Sequence, residues 1–524
     1  MTQSDKRLLI KASALIMIAT LLSRIMGLAR IQVINYLYPQ ELLDAFWAAY
    51  KIPNTLRELL AEGALSVAFI PVFSAMLVEE GGREKAARLA SNVFNALFLI
   101  TLLVVALGIL LMPLVMPWYV SGFAEDAARL SSAIMLGQIM MPFLLFASMG
   151  AVVMGVLNGH DSFAAPAFAP VLFSAGMIAL LLLFGKEGPH ILGWGVLAGG
   201  LCQLLFQLPF LRRHGFRYTP QCSFRDESLR RVLRLMVPAA LALGVVQLNQ
   251  FIVPLFASFS QGGVAALQNA ILVVQMPQGV FAIAISTALL PGLSRKASLQ
   301  DTEGFRQGMR DGLGLVLFFM VPSALFFLFF RHSLIDAIFN LGGSFDAAAV
   351  NATARSLFWY SFGLIAMGGT VLANRFFYSI QNTRTPLMLA LIAVAANMAL
   401  NILFHVLSTD TSLIALANSL SITLNCALLL IFAAKRTGGL PWRGIFGGML
   451  KIGFAAMLMV LAAYGVECLM PLAPDRSILE AALRLALMLA AAVCVYFAAG
   501  ACLRVHEASL MFSMVGGLWR RVRG

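Results

Sequence analysis

Charged residues are scarce in this sequence: Asp, Glu, Lys and Arg make up 12% of its 524 residues, against about 25% in soluble domains. Hydrophobic residues make up 60% and the mean hydropathy is +0.88. These values exclude a soluble enzyme, and a chain with this much apolar surface to bury is not disordered. Cysteine is also sparse. The six (Cys202, Cys222, Cys426, Cys468, Cys494 and Cys502) show no CxxC spacing, which argues against a zinc site or a disulfide framework, and they read as small buried hydrophobes. The six histidines lie scattered, with no pair at metal-ligand spacing. HExxH, GxxxxGK[ST] and GxSxG are all absent, so the common hydrolase and nucleotide-binding mechanisms have no carrier here.

What the sequence has is a succession of apolar stretches near or above the roughly 20 residues that cross a bilayer. About fourteen can be counted: 9–37, 43–78, 88–118, 129–157, 167–185, 191–211, 231–259, 263–293, 308–330, 348–379, 386–407, 411–434, 447–469 and 478–503. The first contains Arg24 and Arg30 and lacks a small-x-small cleavage site, so it is not a signal peptide. An all-α polytopic membrane protein is expected. The net charge of +13 reads as membrane topology and not as nucleic-acid binding, because alternate connections collect the cations: Lys6, Arg7 and Lys11; Arg83, Lys85 and Arg88; seven arginines between Arg212 and Arg234; Arg295 to Arg310; Arg384; Lys435 to Lys451; and the tail from Arg504. Both termini are expected in the cytoplasm.

Prolines suggest an internal repeat. Ile70-Pro71-Val72-Phe73-Ser74 corresponds to Leu290-Pro291-Gly292-Leu293-Ser294, and Pro166 to Pro386, with 291 − 71 and 386 − 166 both equal to 220. The expected organisation is an N-lobe of six spans over 1–211, a cytoplasmic linker over 212–230, a C-lobe of six spans over 231–434, two further spans within 435–503 and a basic tail over 504–524. Halves with an even number of spans share one orientation, and so are expected to be related by a pseudo-two-fold axis along the membrane normal.

An ionisable side chain inside a span is expensive unless it faces a cavity or a partner. The first two spans hold most of them: Arg24 and Arg30, then Asp44, Lys51, Arg57, Glu58 and Glu62, with Pro53 and Asn54 among them. Pro53 and Gly63 predict a bend where these charges cluster. Several cations in a dry-walled cavity focus a positive potential, and the planar arginine fork suits a pyrophosphate better than a carboxylate. Structural ion pairing of Arg24, Arg30 and Arg57 with Asp44, Glu58 and Glu62, or snorkelling to an interface, is the plainer account, and Asp44 could instead cap the second span.

The residues Ser23-Arg24, Gly27-Leu28-Ala29-Arg30, Asp44-Ala45-Phe46, Lys51-Ile52-Pro53-Asn54, Arg57, Ala61-Glu62-Gly63-Ala64-Leu65-Ser66 and Phe69-Ile70-Pro71 resemble the N-terminal signature of the MurJ (MviN) lipid II flippases of the MOP exporter superfamily. The likeness continues through Pro166-Ala167-Phe168-Ala169-Pro170, Gln207-Leu208-Pro209, the Leu290–Ser294 segment, and Phe377-Tyr378 with Thr383-Arg384-Thr385-Pro386. It implies a transporter, not an enzyme, in the bacterial cytoplasmic membrane. Such a protein would turn undecaprenyl-pyrophosphate-linked disaccharide-pentapeptide to the outer leaflet by alternating access. The resemblance puts cavity arginines at Arg24, Arg30 and Arg57, other substrate-facing groups at Asp44, Lys51, Asn54 and Glu62, and a lipid-tail groove at the last two spans. It also implies membrane lipids and cell-wall synthesis proteins as partners, and a monomer.

One departure concerns the eighth span, where family members carry an Asp-Arg pair and this sequence has Ile271-Leu272. Arg375, in the tenth span, is the candidate replacement, with snorkelling to the interface as the alternative. Some relatives bind sodium; here Asn249, Asn397 and Asn401, with Gln247 and Gln250, supply amide oxygens without a carboxylate, a weak site for a hard cation. Amide hydrogen bonding between helices is the alternative. No cofactor is expected beyond coupling to the membrane potential or a monovalent cation. An exporter of another polyprenyl-linked glycan or of a drug is the alternative function, since arginines select a pyrophosphate without identifying its sugar. A polyprenyl-pyrophosphate phosphatase would need an acid–base cluster as well.

Overall fold

The computed structural model describes the backbone of residues 3–79, 82–213, 216, 218–439, 442–471 and 477–508, without the side chains of 3–14, 16, 17, 62, 241–243, 245, 246, 248 and 442–445. Among the described residues every regular element is helical. The α-helices are α1 Gln3–Leu37, α2 Gln40–Arg57, α3 Leu65–Leu77, α4 Gly82–Tyr119, α5 Ala127–Met140, α6 Phe143–Gly159, α7 Ala164–Phe184, α8 His190–Arg213 and α9 Glu227–Ala257. They continue with α10 Gly263–Pro277, α11 Ile283–Ser298, α12 Thr302–Phe339, α13 Ala347–Ser379, α14 Arg384–Leu407, α15 Leu413–Arg436, α16 Trp442–Leu469 and α17 Ile478–Cys502. Among the described residues, 12 helices, some of them joined pairs, are long and apolar enough to cross a membrane. The 35-residue α1 and 31-residue α9 stand where the sequence places spans one and seven.

The spacing of 220 residues runs far beyond the prolines that suggested it. The starts of α12, α13 and α14 follow those of α4, α5 and α7 by 302 − 82, 347 − 127 and 384 − 164, each 220. Arg57 and Pro277 end α2 and α10, and the π-helical segments Glu58–Ala64 and Gln278–Ala282 follow at once in both halves. Leu37 and Ala257 end α1 and α9 at the same spacing. Even the left-handed residues Asp161 (φ 57°) and Gln381 (φ 56°) correspond. Six spans therefore repeat, and α16 and α17 lie outside the repeat.

Pro53 does not interrupt its helix. It lies inside α2, and the irregularity comes five residues later as the π-helical turn around Gly63, where an extra residue per turn frees backbone carbonyls and re-aims side chains. Asp44 is not a cap either, because α2 begins at Gln40 behind Pro39.

The contacts divide the chain into residues 1–264 and 265–524. The first unit has a core of α3, α4, α6 and the start of α9, with Phe69 and Phe73 fully buried beside Leu229, Val232 and Met236. Gly155 and Gly159 of α6 let those phenylalanines approach: a Cβ at either would lie 2.8 Å or 2.6 Å from a ring carbon. The helix α9, first of the second repeat, thus packs within the first unit. The second unit is built around α13, which packs on α12, α11 and α15. Tyr496 of α17 donates to the Phe318 carbonyl of α12 at 2.6 Å. All six cysteines are free, but only Cys426 is buried, and Cys222, Cys468, Cys494 and Cys502 are exposed. The expectation of buried cysteines is corrected for these four: three face outward from apolar helices, where lipid replaces a protein core.

Candidate functional site

The charged residues of α1 and α2 gather in the first unit. Arg30 of α1 lies over the Phe173 ring of α7, its guanidinium carbon 5.0 Å from the ring centre, a cation–π contact. Its Nε is buried without a hydrogen-bond partner, and among the described residues it forms no ion pair. Its charge and that of Arg57 are near enough to act on each other. Arg24, six residues earlier, is half-buried and unpaired among the described residues. Six residues turn a helix by about 600°, so Arg24 and Arg30 stand roughly 120° apart around α1.

Arg57, at the start of the π-helical turn, is already engaged. Its Nε donates to Asn54 Oδ1 at 3.2 Å and its Nη2 lies 3.6 Å from Glu58 Oε1. Glu58 in turn accepts from Asn54 Nδ2 at 2.9 Å and from Gln247 Nε2 at 2.5 Å. Lys51 donates to Gln250 Oε1 at 2.5 Å. The two glutamines of α9, which the sequence offers as sodium ligands, thus serve as partners for α2. The side chain of Glu62 lies outside the described residues.

Asp44 is placed differently from the rest. It is fully buried and pairs with Arg129 of α5 at 2.8 Å; the Gly262 N–H donates to the same carboxylate at 2.6 Å. Arg129 also donates to the Ser260 carbonyl at 3.3 Å and covers the Phe123 ring at 4.2 Å. Sequence reading missed Arg129. It opens a span two residues after its first-turn neighbour Ala127, and a lone arginine at a span boundary looks like an interfacial residue.

The second half holds no counterpart of this cluster. Shifted by 220 residues, Arg24, Arg30, Lys51, Asn54 and Arg57 fall on Gly244, Gln250, Ile271, Val274 and Pro277. Arg375, half-buried on α13, corresponds to Gly155. Asn397 and Asn401 are buried on α14, where Asn401 Nδ2 donates to the Asn397 carbonyl at 2.8 Å and to its Oδ1 at 3.0 Å. That bonding stays within one helix, unlike the interhelical bonding expected. Asn249 lies on α9, with a buried Oδ1 that has no hydrogen-bond partner.

A family model described as Lipid II flippase MurJ matches residues 33–480. The chain is 34% identical over 427 residues to the "Lipid II flippase MurJ" of Burkholderia cenocepacia, covering 80% of this chain and 82% of that protein. A Bdellovibrio bacteriovorus protein described as "Probable lipid II flippase MurJ" is 30% identical over 476 residues, covering 89% and 90%. A solved structure of "Lipid II flippase MurJ, inward closed conformation" matches with a TM-score of 0.77 at 25% identity, over 94% of this chain and 99% of that one. An inward-facing multidrug resistance MATE transporter of the MOP superfamily shares the fold, with a TM-score of 0.67 at 16% identity over 79% of this chain and 94% of that one. The chain belongs to the MurJ family of lipid II flippases, a family of membrane transporters.

Proposed function

We propose that this protein flips lipid II from the cytoplasmic to the outer leaflet of the bacterial inner membrane by alternating access, with both termini cytoplasmic. The observation that carries the headgroup site is Arg30: a guanidinium held over an aromatic ring, with a buried donor lacking a partner. A buried donor without an acceptor is costly, and an incoming pyrophosphate would satisfy it while neutralising Arg57. Arg24 adds a cation on α1, and Lys51 and Asn54 line the approach. The engagement of Arg57 by Glu58 supports a site in which substrate competes with an internal carboxylate, so that binding loosens the tie from Glu58 to α9.

Asp44 belongs in this reading to the scaffold, since Arg129 and Gly262 both hold its Oδ2 in a buried site. The absence of cations at the repeated positions supports a headgroup held mainly by the first unit, with Arg375 as the second unit's contribution. Movement against the substrate gradient draws on the membrane potential or on a monovalent cation. The polyprenyl tail remains in lipid against α16 and α17.

Complementation of a strain depleted of its own lipid II flippase tests the function: growth is expected, and failure at normal membrane levels overturns it. Competition in a vesicle assay between lipid II and other polyprenyl-pyrophosphate glycans identifies the sugar. Preference for a different headgroup would favour the alternative exporter.

A further inference from the structure

In the second unit, where α12 and α16 begin and α17 ends, cations from three separate segments line one cleft of about 320 Å³. Arg310 comes from the third turn of α12, Lys451 from α16 and Arg504 from the turn after α17, and Glu507 is the acidic residue of the lining. The three cationic side chains form no ion pair among the described residues. Glu507 lies against the backbone of α12 instead, since a Cβ at Gly314 would stand 2.2 Å from its Oε1. Gly447 and Gly448 have nothing within 4 Å of where a Cβ would point, which leaves that wall of the cleft open.

Arg504 adds an independent observation. It adopts φ 50° directly after α17, where the Val505 N–H closes the turn on the Gly500 carbonyl at 2.9 Å. Glycine is the usual residue at such a helix end, because a Cβ disfavours the left-handed conformation. The turn places Arg504 among the residues that line the cleft. From the mouth of the cleft, α16 presents Phe446, Leu450 and Phe454, all exposed and spaced four residues apart on one face.

We propose that this cleft binds the phosphate of an anionic phospholipid of the cytoplasmic leaflet, with an acyl chain on the Phe446–Leu450–Phe454 stripe. Three cations against one carboxylate match a phosphodiester, and basic pockets between membrane helices on this side recognise such headgroups. The loop cations assign this end of α12, α16 and α17 to the cytoplasm.

The test uses the full chain in vesicles of phosphatidylcholine alone or mixed with phosphatidylglycerol. Phosphatidylglycerol retained after extraction is counted by native mass spectrometry, and the unfolding midpoint is recorded. Neither readout involves flipping. Affinity for phosphatidylglycerol is expected to fall about fivefold for each cation removed in Arg310→Gln, Lys451→Gln and Arg504→Gly. In phosphatidylcholine alone, Arg504→Gly is expected to be at least as heat-stable as the parent, because glycine suits that turn, which separates lost binding from misfolding. Unchanged phosphatidylglycerol retention in the triple variant would overturn the proposal. So would equal stabilisation by inorganic phosphate in phosphatidylcholine vesicles, which would make the cleft a site for free anions.

Discussion

Asp44 and Arg129 form a buried ion pair at 2.8 Å across 85 residues of sequence, tying α2 to α5. Removing one member leaves the other charged and dry, which costs about 3–5 kcal/mol. Arg129→Ala and Asp44→Ala are therefore expected to lower the unfolding midpoint and the membrane yield sharply, whereas Arg24→Ala and Arg30→Ala leave both near the parent. Thermal unfolding in detergent at matched protein levels checks this. A stable but inactive Asp44→Ala would return Asp44 to the substrate site.

The contact of Lys51 with Gln250, beside that of Glu58 with Gln247, makes α9 a partner of α2. With the native cysteines replaced, Lys51→Cys and Gln250→Cys together are expected to cross-link with a short bifunctional reagent in native membranes. Added lipid II is expected to reduce the yield, because substrate competes for the Arg57 environment and loosens this face. An absence of cross-link in every condition would remove α9 from the first unit.

Much of this was legible from residues alone, though not all. Two proline pairs at 220-residue spacing were enough to find a repeat that many helix boundaries follow at the same spacing, because proline and glycine mark the breaks that lipid-exposed helices cannot hide. Arg24, Arg30 and Arg57 stood out because charge is rare in apolar runs. The pairing of Asp44 with Arg129 was not legible, since nothing local in either span names a partner 85 residues away. The polar contacts of α9 with α2 were hidden for a similar reason: they are made by glutamines, which inside a helix look alike whether they bind an ion, a neighbour or a substrate.

Topology gives a third expectation. A reporter fused after Arg436 is expected to be active on the cytoplasmic side and one fused after Asp410 on the outer side, because Lys435 and Arg436 end α15 while the 408–412 loop carries no cation. The reverse pattern would break the orientation.

The 408–412 loop also carries a pH dependence. Burial works to raise the Asp410 pKa, but the backbone N–H of Ser412 and the guanidinium of Arg355 outweigh it and hold the carboxyl below its usual range. A folded-state pKa below the unfolded one contributes stability above the unfolded value, roughly pH 4, and the contribution is lost as pH falls through the folded value. Asp410→Asn is expected to lower the unfolding midpoint at neutral pH and to flatten its acid limb, so that parent and variant converge at low pH. An identical acid limb in the variant would contradict the assignment.

The most direct measurement concerns Arg30. Purified protein in vesicles, given fluorescent lipid II, should transfer it between leaflets, and Arg30→Ala should slow that transfer about ten- to a hundredfold, the value of a charge-assisted hydrogen bond lost from a dry site. The unfolding midpoint should not change, and Arg30→Lys should recover part of the rate, because lysine keeps the charge without the fork. Transfer by Arg30→Ala at the parental rate would contradict a headgroup site built on that guanidinium.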